Sequence, residues 1–202
     1  MTHNTTELTH REHEQKAVFS RKSLGFWVYL MTDCVLFATL FAVFAVLRTA
    51  TDGGPGGSDL FDLNFVLVET MILLISSFTV GLAVLGAERG FKKQAIMWLV
   101  FTFLLGAAFL ALELWEFNVL ITEGNGWQRS AFLSSYFTLV ATHGIHIAVG
   151  LIWMAVVIFR LVQRNFKITD VRRLSILGLF WHFLDVIWIF IFSFVYLIGG
   201  MA

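Results

Sequence analysis

The chain has 202 residues, 58% of them hydrophobic, with 22 phenylalanines and 7 tryptophans, and 14 basic residues balance 14 acidic ones. A mean hydropathy of +0.80 leaves too little polar surface to coat a soluble globule, and no basic-aromatic surface suggests nucleic acid. The only cysteine, Cys34, sits in an apolar run, which excludes a disulfide, a CxxC pair and a c-type haem attachment and leaves a small packing residue.

The chain begins with 23 polar residues of mixed charge, MTHNTTELTHREHEQKAVFSRKS. They are too long for the basic region of a secretory signal, and no small-residue cleavage site follows. Residues 1–23 are therefore expected to form a solvated, partly disordered cytoplasmic tail, with His3, His10 and His13 in it. Five apolar stretches follow, at roughly 24–47, 64–86, 95–121, 131–160 and 174–199. Each is long enough to cross a hydrocarbon core of about 30 Å as a helix. The alternation of a membrane β-barrel, in segments of about ten residues, is absent. The sequence thus predicts an all-α integral membrane protein, a bundle of five transmembrane helices over 24–202, with loops too short for a second domain.

Topology follows from the basic residues. Arg11, Lys16, Arg21 and Lys22 precede the first span, and Arg89, Lys92 and Lys93 separate the second from the third. Arg160, Arg164, Lys167, Arg172 and Arg173 lie around the junction of the fourth and fifth. Only Arg48 and Arg129 fall on the other side, so the N-terminus is predicted cytoplasmic and the C-terminus periplasmic. The first outer loop, TDGGPGGSDLFDLN, is acidic and contains the only proline.

Eight ionisable side chains lie inside the spans: Asp33, Glu69, Glu113, Glu116, His143, His146, His182 and Asp185. Charges at membrane depth are costly and are retained where they pair, neutralise or act, so these residues mark a proton or ion path or a polar seam. At about 1.5 Å of rise per residue, Asp33, His143, His146, His182 and Asp185 fall near the mid-plane. Glu69, Glu113 and Glu116 fall in the outer third. Three i, i+3 pairs, Glu113/Glu116, His143/His146 and His182/Asp185, each project from one helix face. Gly106, Ala107, Ala108, Gly144, Ser76 and Ser77 would let helices approach closely beside them.

Histidines with carboxylates suggest zinc or non-haem iron. Against a metal, the glutamates occupy a different layer from the histidines, and two histidines at i, i+3 on one helix cannot ligate opposite faces of one haem. The reading favoured by the residues is a hydrogen-bonded polar seam without catalytic, cofactor or metal residues, its carboxylates neutralised by protons. A stand-alone transporter or proton channel is a second reading, although no Gly/Pro-broken span or inverted repeat accompanies the charges.

Four strings narrow this further: GFWVYLMTDCVLF at 25–37, ELWEF at 113–117, THGIHIAVGLIWM at 142–154 and WHFLDVIWIFIFSFVYLIGG at 181–200. Together they resemble subunit III of the haem-copper respiratory oxidases, in order and across all five spans. Within that family the resemblance is nearest to the quinol-oxidising branch of the cytochrome bo type. A cytochrome c or menaquinol oxidase remains an alternative. Cytochrome c oxidase versions usually have seven spans, and the five here correspond to the last five. The resemblance implies an accessory, non-catalytic chain that carries no haem or copper. Electron entry and dioxygen reduction would take place in a catalytic subunit I, with a subunit II and a small subunit IV as further partners and bound phospholipid at the interface. It also implies that Asp33 stands where the family has a carbodiimide-reactive acid, with proposed roles in proton uptake and in protection of the catalytic subunit. Hydrogen bonding that merely ties helices together is the alternative for that residue. The implied location is the bacterial inner membrane.

Overall fold

The structure, a computed structural model, describes residues 2–60, 62–163 and 168–199, with side chains for 24–57, 60, 62–163 and 169–199. It is helical, with no strand among the described residues: α1 (Thr2–Leu47), α2 (Gly57–Leu60), α3 (Leu63–Glu88), α4 (Lys92–Thr122), α5 (Ala131–Gln163) and α6 (Ile168–Ile191). A π-helical turn, Phe192–Leu197, continues α6. The segments long and apolar enough to cross a membrane are Leu24–Leu47, Leu63–Glu88, Lys92–Thr122, Ala131–Gln163 and Thr169–Leu197. These match the five expected spans, shifted by a few residues where helices continue into polar flanks. The tail expected to be partly disordered instead extends α1 back to Thr2. No glycine or proline occurs before Gly25, and the Glu, Gln, Lys and Arg of the tail are good helix formers.

Local chemistry sets the helix ends. Asp62 caps α3, its carboxylate accepting from the Asn64 N–H at 3.0 Å. At the other end Gly90 takes φ +79°, and the Phe91 N–H returns to the Gly86 carbonyl at 2.9 Å. The end of α4 repeats this with Gly124 at φ +81° and Asn125 N–H on the Leu120 carbonyl at 2.9 Å. Both are glycine-terminated stops in which the left-handed residue lets the chain leave the helix at once.

The chain divides into two compact units, residues 1–36 and 37–202. The first is the greater part of α1. In the second, α3 packs on α4 and α6, and α5 packs on α4 and α6, so the four helices close a ring. The last turns of α1 add aromatic contacts: Phe44 lies 6.0 Å from Phe132, and Phe41 lies 6.4 Å and 6.1 Å from Phe190 and Phe194.

Trp181 of α6 ties the ring together. A Cβ on Gly106 of α4 would stand 2.7 Å from its indole, and one on Gly150 of α5 would stand 3.0 Å away. The indole N–H donates to Ser76 of α3 at 3.0 Å, and Thr79 and Thr102 join α3 to α4 through a 2.8 Å hydroxyl pair. One fully buried tryptophan therefore touches three helices, and two glycines make room for it. On the outside, Phe78, Leu104 and Ile152 are each at least 60% exposed, as a lipid-facing surface requires.

Candidate functional site

The most compact polar feature combines α3 and α4. Glu69 is six residues into α3, Glu113 and Glu116 are one turn apart on α4, and one carboxylate oxygen from each lies within 4.8 Å of the others. Glu69 is fully buried and Glu113 is 2% exposed. Both oxygens of each lack a hydrogen-bond partner. Glu116 accepts from the Tyr196 hydroxyl at 3.4 Å, and Tyr196 pairs with Tyr136 at 3.0 Å. Tyr196 belongs to the π-helical turn, whose wider spacing carries it and Val195 into the core. The three glutamates grouped by depth in the sequence are thus neighbours in space.

On α5, His143 is 1% exposed, with neither ring nitrogen hydrogen-bonded. Trp188 stacks on it at 5.3 Å and 28°, while Phe109 and Phe37 meet it edge-on at 6.2 Å and 6.3 Å. The Trp188 N–H donates to Thr70 at 3.0 Å, anchoring this aromatic layer to α3. His146, half-buried, bonds through Nδ1 to the Thr142 carbonyl at 2.7 Å.

His182 and Asp185 of α6 share Ser77 of α3 as a partner. Its hydroxyl lies 2.7 Å from His182 Nδ1 and also bonds the Asp185 side chain. Asp185 is buried, with Oδ1 unpartnered, whereas His182 is exposed. Asp33, in the first unit, is hydrogen-bonded to the Tyr29 phenol one turn earlier on α1.

The mid-plane residues sit in distinct surroundings. His143 is enclosed by aromatic rings, His146 binds its own helix, and His182 turns outward. Residues three apart on an α-helix differ by about 60° in direction, which leaves His143 and Asp185 more buried than His146 and His182, whereas Glu113 and Glu116 are both buried. His143 and Asp185 take the inner positions.

Among the described residues only Glu69, Glu113 and Glu116 bring three metal-ligating side chains together. None of the three membrane histidines belongs to that group. Trp181, Trp188, Tyr136, Tyr196, Thr70 and Tyr29 are partners that the sequence reading missed. A signal existed for the tryptophans, since Trp181, Asp185 and Trp188 are spaced four and three apart, on one helix face.

The sequence of these five membrane-spanning helices has relatives among known proteins. A family profile described as cytochrome c oxidase subunit III matches residues 3–200. The chain belongs to the cytochrome c oxidase subunit III family. It is 57% identical over 177 residues to the cytochrome bo(3) ubiquinol oxidase subunit 3 of Pseudomonas aeruginosa, covering 88% of this chain and 85% of that one. To the quinol oxidase subunit 3 of Bacillus subtilis it is 45% identical, over 87% and 86% of the two chains. To the cytochrome c oxidase subunit 3 of Bacillus sp. PS3 it is 43% identical, over 88% and 86%. As a subunit III the protein is one component of an assembly of oxidase subunits and a multi-pass protein of the bacterial inner membrane.

Proposed function

We propose that this chain is the non-catalytic third subunit of a proton-translocating respiratory quinol oxidase. Ubiquinol oxidation and the reduction of dioxygen to water occur in a partner subunit I that holds the haem and copper, accompanied by a subunit II and a small subunit IV. The N-terminus faces the cytoplasm and the C-terminus the periplasm. The observation that carries the reading is the 57% identity, over most of both chains, to a ubiquinol oxidase subunit 3, against 43% to a cytochrome c oxidase subunit 3.

Three features support an accessory role. His143 lies among aromatic rings, His146 bonds a backbone carbonyl and His182 a serine hydroxyl, contacts that suit a structural role for each. The bundle interior is filled by Trp181, Trp188, Phe109 and Tyr196, all buried, which suits a rigid support better than a stand-alone transport path. A cavity of about 570 Å³ beside Arg160 and Arg173 is also lined by Ala155, Val156 and Phe159. Two guanidinium groups over an apolar wall suit the phosphate and acyl chain of a phospholipid at the cytoplasmic side.

In this reading the protein acts by holding. The tryptophan-glycine joint keeps four helices in one geometry, the cavity retains lipid at the edge of the complex, and Asp33 with Tyr29 supports proton supply to the catalytic subunit. The test is an oxidase purified from a strain lacking this chain, followed through many turnovers of quinol. Poorer assembly, or a rate that decays during turnover, is the expected result. Full assembly with an undiminished rate would contradict the supporting role.

A further inference from the structure

We propose that Glu69, Glu113 and Glu116 form a binding site for a hard divalent cation of the calcium class, coordinated by oxygen alone. Glu69 lies six residues from the start of α3, and Glu116 and Glu113 lie six and nine from the end of α4, about 9–14 Å along the helices.

Two observations carry this independently. The first is convergence: three carboxylates from two helices present oxygens within 4.8 Å of one another. The second is that Glu69 and Glu113, both more than nine-tenths buried, leave all four of their oxygens without a hydrogen bond. Buried carboxylates must be compensated by protons, by a basic side chain or by an ion. Among the described residues no basic side chain is paired with any of the three. Protons shared between carboxyl groups draw oxygens to about 2.5–2.7 Å and register as hydrogen bonds. No such bond joins Glu69 or Glu113 to its neighbours. The glutamates stand together yet apart, as ligands around a central ion do.

The donor set selects the ion. Oxygen donors without nitrogen or sulfur disfavour zinc and copper. Magnesium demands near-octahedral bonds of about 2.1 Å and keeps several waters, for which carboxylates this buried leave little room. Calcium binds at about 2.3–2.6 Å, so its ligands stand up to about 5 Å apart, and it accepts irregular carboxylate geometry. Three carboxylates offer up to six oxygens. The Tyr196 hydroxyl, 3.4 Å from Glu116, fixes that ligand's orientation. Glu116, the most exposed of the three at 9%, is within electrostatic reach of Asp62 at the α3 cap.

Terbium(III), a hard oxygen-seeking stand-in for calcium, tests this, because Tyr196 and Tyr136 beside the site would sensitise its luminescence. The full chain is purified in mild detergent with whatever subunits it retains. Sensitised terbium emission that calcium displaces and equimolar magnesium does not is the expected result. Glu69→Gln and Glu113→Gln should weaken that binding roughly tenfold or more, while Glu123→Gln at the exposed end of α4 leaves it unchanged. Should a glutamine variant fail to fold, the wild-type protein decides alone: calcium must raise its melting temperature and a chelator must lower it. No displaceable emission and no calcium-dependent melting, or emission retained in both glutamine variants, would mean a cluster that holds protons only and would overturn the proposal.

Discussion

Replacing Gly106 with alanine probes the joint that holds the bundle. The added methyl would stand 2.7 Å and 2.8 Å from two carbons of the Trp181 ring and 3.1 Å from a Leu151 methyl. The ring cannot slide away freely, because Gly150 of α5 faces it from another side and its N–H is committed to Ser76 at 3.0 Å. Overpacking of this kind costs about 1–3 kcal/mol. Losing the indole hydrogen bond adds about 0.5–1.5 kcal/mol, and the better helix propensity of alanine returns about 0.5–1 kcal/mol. The net, about 1–3 kcal/mol, should lower the melting temperature by roughly 3–10 °C for a chain of this size. Thermal unfolding in detergent, followed by tryptophan fluorescence, reads both the stability and the displaced indole. Gly81→Ala is the control, since its Cβ would meet no heavy atom within 4 Å and should leave melting unchanged or slightly raised. If Gly106→Ala melts and fluoresces as the wild type does, the proposed joint is wrong.

Other variants separate the polar groups. Thr70→Val strands the buried Trp188 N–H and should cost about 1–3 kcal/mol, seen as a lower melting temperature. Tyr196→Phe removes the hydroxyl that links Tyr136 to Glu116 and should destabilise by about 1 kcal/mol, measured in the same way. His182→Leu should barely change the melting of the isolated chain, because the ring is exposed and loses only its bond to Ser77. A large loss of assembly with unchanged melting would assign His182 to a partner contact. Asp185→Leu removes a carboxyl with one unpartnered buried oxygen, so its melting temperature should fall no further than that of Thr70→Val.

The spans were legible because a helix crossing lipid needs a long, predominantly apolar run, and residues 24–47 and 131–160 keep one despite Asp33, His143 and His146. The grouping of Glu69 with Glu113 and Glu116 was legible too, since depth follows from helical rise and from the direction in which each span enters. Their mutual distance was not, because rise says nothing about rotation about the helix axis. For the same reason the sequence placed His182 in the interior. The side it faces depends on where α3 and α5 press against α6, and Trp181 and Trp188 decide that. In an apolar run a tryptophan reads equally as an interfacial anchor, a lipid contact or a core residue. Only neighbours from other helices, such as Gly106, Gly150, Ser76 and Thr70, distinguish these uses. The π-helical turn that brings Tyr196 to Glu116 leaves no mark in FSFVYL, which is as suited to an α-helix.

The central claim is that this bundle works as part of a larger oxidase. Its most direct test is affinity purification of the tagged full-length chain from membranes in mild detergent, with a visible spectrum of the product. The account predicts a much larger haem-bearing partner that co-purifies and oxidises quinol with dioxygen. A chain recovered alone, without haem absorbance or quinol oxidase activity, from membranes that retain both, would contradict it.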